Sequence, residues 1–295
     1  MGLTVMMFTA LGLCWGSNFI YMKLAADFIS PAQITLLRVC CGFVPLVLVA
    51  WWRGALKRAQ LRLLPHFLVM ALLATAFYYF AIAKGTERLP SAVAGVLGGT
   101  IALFTTLASL VFLRSQRSSA AMLWGVLLGF AGVVVLIAPW QDGAAPLDKQ
   151  GVFWMLGAAA LFGGSYIYVC RFLAPHGLPA LALVTWQMGL ALVLLLLVTD
   201  TSGMGELLVH PRALAGVTFG LGVLGTGMAF LLYYALLERL GAVASAAATY
   251  LTPAVALVIG WANGEVVGPR ELAAAGVILL GIALMQQGRD RSKVR

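Results

Sequence analysis

Few side chains in this sequence could hold a polar ligand, and their spacing indicates what they would do. Asn18 follows Trp15 by three residues in an apolar run, so a helix places amide and indole on one face. That pair would hold a polar ligand against an aromatic wall, although an amide so placed also serves to bond a neighbouring helix. Arg38 follows Pro31 by seven residues, about 10 Å into a second apolar run at about 1.5 Å per residue. A cation at that depth needs a partner, either as a tie to helix ends and carbonyls or in a gate or a substrate-carboxylate site.

The groups that would make or break bonds are missing. His66, His176 and His210 are isolated, HExxH and Walker A sequences are absent, and no pair of carboxylates lies within an apolar run. An enzyme is not expected, nor ATP hydrolysis, a cofactor or a metal. Cys14, Cys40, Cys41 and Cys170 lie in or beside apolar runs without CxxC spacing and read as core thiols.

The elements that must carry these residues follow from composition. Of 295 residues, 62% are hydrophobic and 10% charged, against about 25% charged in an ordinary soluble domain. A water-soluble single core is excluded. Breaks at charges, Pro and Gly place ten apolar helices near 3–22, 32–52, 63–83, 92–113, 119–138, 152–170, 180–199, 214–237, 242–262 and 272–288. We refer to them as spans 1 to 10. The first begins without a basic leader or clear cleavage site and is expected to stay in the membrane. The net charge of +9 would suit nucleic acid only if the bases shared one solvated face. They lie instead in short gaps between spans, so no nucleic-acid partner is expected, and Lys84, Glu87 and Arg88 read as a solvated loop after span 3.

The chain also repeats itself. Gly16-Ser17 matches Gly164-Ser165 at a shift of 148, as do Lys23 with Arg171 and Pro31 with Pro179. Tyr79-Phe80-Ala81 pairs with Tyr233-Tyr234-Ala235, and Gly132 with Gly281. Each copy holds five spans, an odd number, so the second crosses in the opposite sense and the repeat is inverted. The expected units are 1–140, 149–288 and a basic tail, 289–295. Four-residue glycine pairs, Gly12/Gly16, Gly125/Gly129, Gly216/Gly220 and Gly260/Gly264, predict close helix approach.

Trp15-Gly16-Ser17-Asn18-Phe19, then Lys23, Pro31 and Leu37-Arg38, resemble the opening of an EamA domain, and Leu251-Thr252-Pro253-Ala254-Val255 resembles its later part. In its two-copy order the chain resembles the drug/metabolite transporter superfamily, and within it the bacterial YddG-type exporters of amino acids, aromatic ones in particular. The resemblance implies an all-α membrane protein whose spans 1, 3, 4, 6, 8 and 9 surround a central cavity, with 2, 5, 7 and 10 supporting them. It places several tyrosines around that cavity, of which Tyr78, Tyr79, Tyr166 and Tyr250 join Trp15 and Asn18 as candidate substrate contacts; interfacial belting is the competing reading, and Tyr233 and Tyr234 near a span end suit it better. Arg38, Gly225, Gly227 and Pro253 are candidate gating or structural residues. Thr100-Ile101-Ala102 stands where the second copy has Thr252-Pro253-Ala254, so a proline kink is expected in span 9 alone. Tyr166 replaces Asn18 and Trp186 replaces Arg38 in the second copy, so the cavity is chemically asymmetric.

The function expected is export of small metabolites, foremost amino acids, by alternating access as facilitated diffusion or exchange. The alternative is efflux of aromatic or cationic drug-like compounds. A multi-pass protein of the bacterial inner membrane is expected, its partners being the bilayer and a small-molecule substrate, and a monomer is compatible with this. With the N-terminus cytoplasmic, 12 bases fall inside and 6 outside, Arg38 lying within a span. That bias predicts both ends in the cytoplasm. Single cysteines added at either end should therefore stay unlabelled by an impermeant reagent applied to intact cells; labelling of either end overturns the topology.

Overall fold

In lipid, backbone N–H and C=O groups must bond within their own segment, so apolar runs of this length fold as helices. The computed structural model describes residues 2–113, 119–137 and 147–294, without the side chains of 240–247 and 289–294. Among the described residues nine helices are long and apolar enough to cross a membrane, and a shorter apolar helix, Ala248–Ala262, supplies the tenth span. Spans 1, 2, 5 and 7 are uninterrupted helices, Gly2–Ala26, Pro31–Trp52, Ala120–Ile137 and Ala180–Val198. Span 2 starts sharply because Ser30 accepts from the Gln33 N–H while the Gln33 side chain accepts from the Ser30 N–H, with Pro31 fixing the first helical φ. Asp148 caps span 6, Lys149–Tyr168, by accepting from the Gly151 N–H at 2.8 Å.

Spans 3, 4, 8 and 9 change pitch part-way. Span 3 runs Leu64–Ala71, a π-helical Leu72–Ala76, then Phe77–Arg88. Span 8 runs Pro211–Ala215, a π-helical Gly216–Met228, then Ala229–Ala246. Span 4 breaks between Ser91–Gly98 and Ile101–Phe112, while span 9 opens as a 3₁₀ turn, Ala247–Tyr250, before Leu251–Ala262. Interruption is thus not confined to the proline-bearing span. At Gly99 and Thr100 the N–H groups bond three residues back, to Val96 and Leu97, and the Thr100 hydroxyl donates to the same Leu97 carbonyl. The turn tightens without proline. A methyl on Gly99 would lie 3.0 Å from the Pro253 ring, so the two breaks face each other. The break also changes the partner of span 4: its first half packs on spans 9 and 1, its second half on span 6.

Glycine sets most of the other contacts. Gly12 and Gly16 on span 1 admit Leu251 and Val255 of span 9, and Gly125 and Gly129 on span 5 admit Met285 of span 10 and Leu103 of span 4. Spans 5 and 10 form a close pair, the latter running Pro269–Val294 past the expected end. Two sequence expectations need correction. Gly264 is a turn glycine with φ +87° and open space at its missing Cβ, not half of a packing pair. Lys84, Glu87 and Arg88 belong to the helical end of span 3, where Lys84 and Glu87 pair at 2.7 Å one turn apart.

A methyl at Gly95, in the first half of span 4, would lie 2.0 Å from the Ala256 Cβ of span 9, whereas Gly157 on span 6 faces open space. Gly95→Ala should lower stability by about 1–3 kcal/mol through overpacking, and Gly157→Ala should leave it unchanged or slightly raised. Apparent melting in detergent compares the two; equal midpoints would mean that spans 4 and 9 do not pack this way.

Candidate substrate site

One side of the protein is stitched together at its helix ends and loops, within the first repeat and across the two. The Lys23 ammonium donates to the Glu87 carbonyl at 2.9 Å, and the Gln33 amide donates to the Asp200 and Ser202 carbonyls at 2.8 and 2.9 Å. Arg88 pairs with Asp148 at 3.2 Å, and the Phe28 ring stacks on His210 with centroids 3.7 Å apart. Glu265 accepts from the N–H groups of Ser91 and Ala92, capping span 4 from the other repeat. The Asp148 carboxyl is held below the usual carboxylate range, chiefly by the Gly151 N–H and further by Arg88, against a smaller desolvation effect. Asp148 and Glu265 on this side are therefore bound to helix ends, and Asp148 to a base as well. On the side of the chain ends, Arg53 and Glu238 meet at 3.4 Å with both side chains half-exposed or more, a pair of little energetic weight.

Further into the bundle, the glycine face of span 8 lies against spans 1 and 2. Added methyls at Gly216 and Gly220 would meet Tyr21, at Gly222 Cys41, at Gly225 Asn18, and at Gly227 Pro45. The widened π-helix and its missing side chains let two polar residues reach its backbone and the Thr226 hydroxyl. Asn18, 5% exposed, donates from Nδ2 to the Gly225 carbonyl at 3.3 Å. Its Oδ1 is buried without a hydrogen-bond partner among the described residues. Arg38, 6% exposed, donates from Nε to the Thr226 hydroxyl at 2.9 Å and approaches the Met22 sulfur with Nη1 at 3.9 Å. Its guanidinium carbon lies 3.8 Å from the Tyr79 ring centroid, a cation–π contact. No carboxylate pairs with it among the described residues. Met22 follows Asn18 by one helical turn and Gly225 adjoins Thr226, so the amide and the guanidinium occupy one site.

The other predicted residues divide. Tyr78 joins the site through Tyr79, their rings 5.2 Å apart, and reaches span 6 at Phe162, 4.9 Å away. Trp15 is half-buried, tilted against Tyr233 at 5.8 Å. Tyr166 is half-buried one turn beyond Phe162 on span 6. Tyr250 sits apart: its hydroxyl accepts a hydrogen bond from Gln286 of span 10. Gly225 and Gly227 stand where span 8 meets Asn18 and Pro45, and Pro253 where span 9 meets Gly99. Two surface hollows, one lined by Lys149, Gln150, Phe153 and Trp154, the other by Phe43, Val47, Trp186 and Gly189 among others, include none of these residues. Asn18 and Arg38 are occluded in this conformation.

This all-helical pair of inverted repeats has counterparts among known proteins. The EamA-like transporter family matches residues 2–138 and 149–286, nearly the whole chain. The chain belongs to the EamA-like transporter family. It is similar to a probable terminal-alkyne amino-acid exporter of Streptantibioticus cattleyicolor, at 26% identity over 94% of this chain and 92% of that one. It is likewise similar to the uncharacterized inner membrane transporter YedA of Escherichia coli K12, at 25% identity over 95% and 89%. A solved crystal structure shares the fold, with TM-score 0.62 and 19% identity over 98% of both chains. The protein is accordingly a multi-pass membrane transporter and not an enzyme.

Within this EamA fold, sequence reasoning missed three members of the site. Thr226 lies between the two glycines it had singled out, and only the fold turns its hydroxyl to Arg38. Met22 looked like one more apolar residue. Tyr234, assigned to the belt, packs with Tyr78 and Tyr79. The counterpart of Arg38 also shifts by one residue. Trp186 turns to Gln60 and Phe67, donating to the Gln60 side chain at 2.8 Å, whereas Gln187 donates to Thr75 in the π-helical part of span 3 at 3.4 Å. Thus Arg38–Thr226 and Gln187–Thr75 are the corresponding ties, one charged and one neutral.

Thr226→Val should leave the Arg38 Nε unpaired at a cost of about 1.5–3 kcal/mol, the range for a hydrogen bond to a charged group, and Thr226→Ser should restore most of it. Melting midpoints in detergent report both; an unaffected Val variant would remove this bond from the structure's support.

Proposed function

We propose that this transporter exports amino acids by alternating access, as facilitated diffusion or exchange, with both chain ends in the cytoplasm. The observation that carries the reading is the occluded polar site of Asn18, Arg38 and Thr226, with Tyr78 and Tyr79, where spans 1, 2 and 3 of the first repeat meet span 8 of the second. Pseudo-symmetric interfaces of interrupted helices are where such carriers bind substrate. The amino-acid exporter of Streptantibioticus cattleyicolor supports the substrate class by name. Trp15, Tyr166 and Tyr250 complete the proposed lining, and the paired breaks at Gly99–Thr100 and Pro253, with Gly225 and Gly227, are the proposed places of bending.

The lack of a relay acid within the spans among the described residues supports transport without proton coupling, which in carriers commonly uses intramembrane carboxylates. Glu87 is paired with Lys84, Glu265 caps span 4, and Glu271 is bonded to Arg270 and the Gly268 N–H. In proteoliposomes with equal pH on both sides and protonophore present, downhill amino-acid flux should persist. Flux restored only by a pH gradient would overturn uncoupled transport. Asn18→Ala and Tyr166→Ala should each reduce flux while leaving expression near normal; unchanged flux in well-expressed variants would return both residues to a packing role.

A further inference from the structure

We infer that Arg38 and Asn18 form a carboxylate-selective subsite, the guanidinium taking the substrate's carboxylate and Asn18 Oδ1 accepting from its ammonium group. The inference rests on the proposed transport through this site and names the substrate chemistry that the site admits.

The charge argument comes first. Arg38 is a full positive charge in the bundle interior, and among the described residues its neighbours of opposite polarity are a hydroxyl, an aromatic face and a thioether. A hydroxyl satisfies Nε, but Nη1 has a thioether, a weak acceptor, and Nη2 has no protein partner among the described residues. Those two nitrogens are the pair that a carboxylate bridges, and a charged, two-pronged hydrogen bond is the strongest a guanidinium makes. The described residues supply no acid to it, so the missing partner is one the substrate brings. The same charge repels a cation in a medium of low dielectric.

Asn18 is the independent observation. Its amide orientation is set by donation to the Gly225 carbonyl, which leaves Oδ1 as a pure acceptor, fully buried and unpartnered. A buried acceptor without a donor is costly unless a donor arrives. A methyl at position 225 would lie 1.8 Å from that oxygen, so glycine there keeps the amide in place. An ammonium group beside the carboxylate of an α-amino acid supplies the donor. The Tyr79 ring that faces Arg38 and the adjoining Tyr78 leave an apolar wall for the side chain. Zwitterions and carboxylates therefore fit, and cationic amines do not, which separates amino acids from cationic drug-like compounds.

The test uses the full chain in proteoliposomes and in detergent, with three probes sharing one ring: phenylalanine, 3-phenylpropionate, which lacks the ammonium, and phenethylamine, which lacks the carboxylate. Counterflow and ligand-dependent melting should rank phenylalanine first, the acid second and the amine last, with about a tenfold gap for loss of a charged hydrogen-bond partner. Arg38→Gln should abolish the gap between acid and amine, and Arg38→Lys should keep part of it. Asn18→Ala should bring phenylalanine down to the level of the acid. If the acid binds or moves and phenylalanine does not, the amino-acid reading fails while the Arg38 half of the subsite stands. An amine handled as well as the acid, or no response to either carboxylate, overturns the inference on the wild-type chain, whatever the variants do. A folded Arg38→Gln protein that still prefers the acid overturns it too.

Discussion

The central constraint is the close approach of span 8 to spans 1 and 2. Four glycines on Gly216–Met228 stand where any side chain would strike Tyr21, Cys41, Asn18 or Pro45. In lipid, helices gain little by hiding apolar surface from one another, so backbone proximity and interhelical hydrogen bonds decide which ones associate. Here the proximity does more than hold helices. It exposes the Gly225 carbonyl to Asn18 and the Thr226 hydroxyl to Arg38. The π-helical pitch contributes, since the Thr226 hydroxyl also donates five residues back to the Leu221 carbonyl.

Charge is distributed to match. Three acids serve helix ends and bases: Asp148 caps span 6, Glu265 caps span 4, and Glu271 is tied to Arg270. The interior keeps one guanidinium and no carboxylate among the described residues. Such a site costs stability while closed. It also gives the interior a preference of sign that no arrangement of tyrosines alone would provide.

The two repeats solve the same problem with different chemistry. In each, a supporting span sends a polar side chain to a threonine in the π-helical part of the opposite repeat, Arg38 to Thr226 and Gln187 to Thr75. In each, an inner span is interrupted beside its partner's interruption, span 4 at Gly99–Thr100 and span 9 before Leu251. The geometry is common to both repeats, and the charge lies on one side only. A glycine and a threonine suffice for the break in span 4 because a tight turn needs a bond three residues back, not a ring.

How many spans there are, their order and the inversion of the repeats were legible in the sequence, because apolar length and charge spacing act locally along the chain. So was the prominence of Asn18 and Arg38, since polar atoms in apolar runs stand out by type alone. Their partners were not legible. Thr226 lies 188 residues from Arg38 and Gly225 lies 207 from Asn18, and nothing in a linear pattern states which carbonyl a widened helix will present. The same limit applies to Tyr250, whose bond to Gln286 on span 10 depends on how span 9 enters the bundle, and to Lys84 and Glu87, whose polarity suggested a loop although the helix continues through them. The sequence determined that the chain must live in a membrane and which polar groups it carries there. Tertiary packing alone decided which of those groups meet, because meeting depends on glycine-scale gaps between helices far apart in the chain.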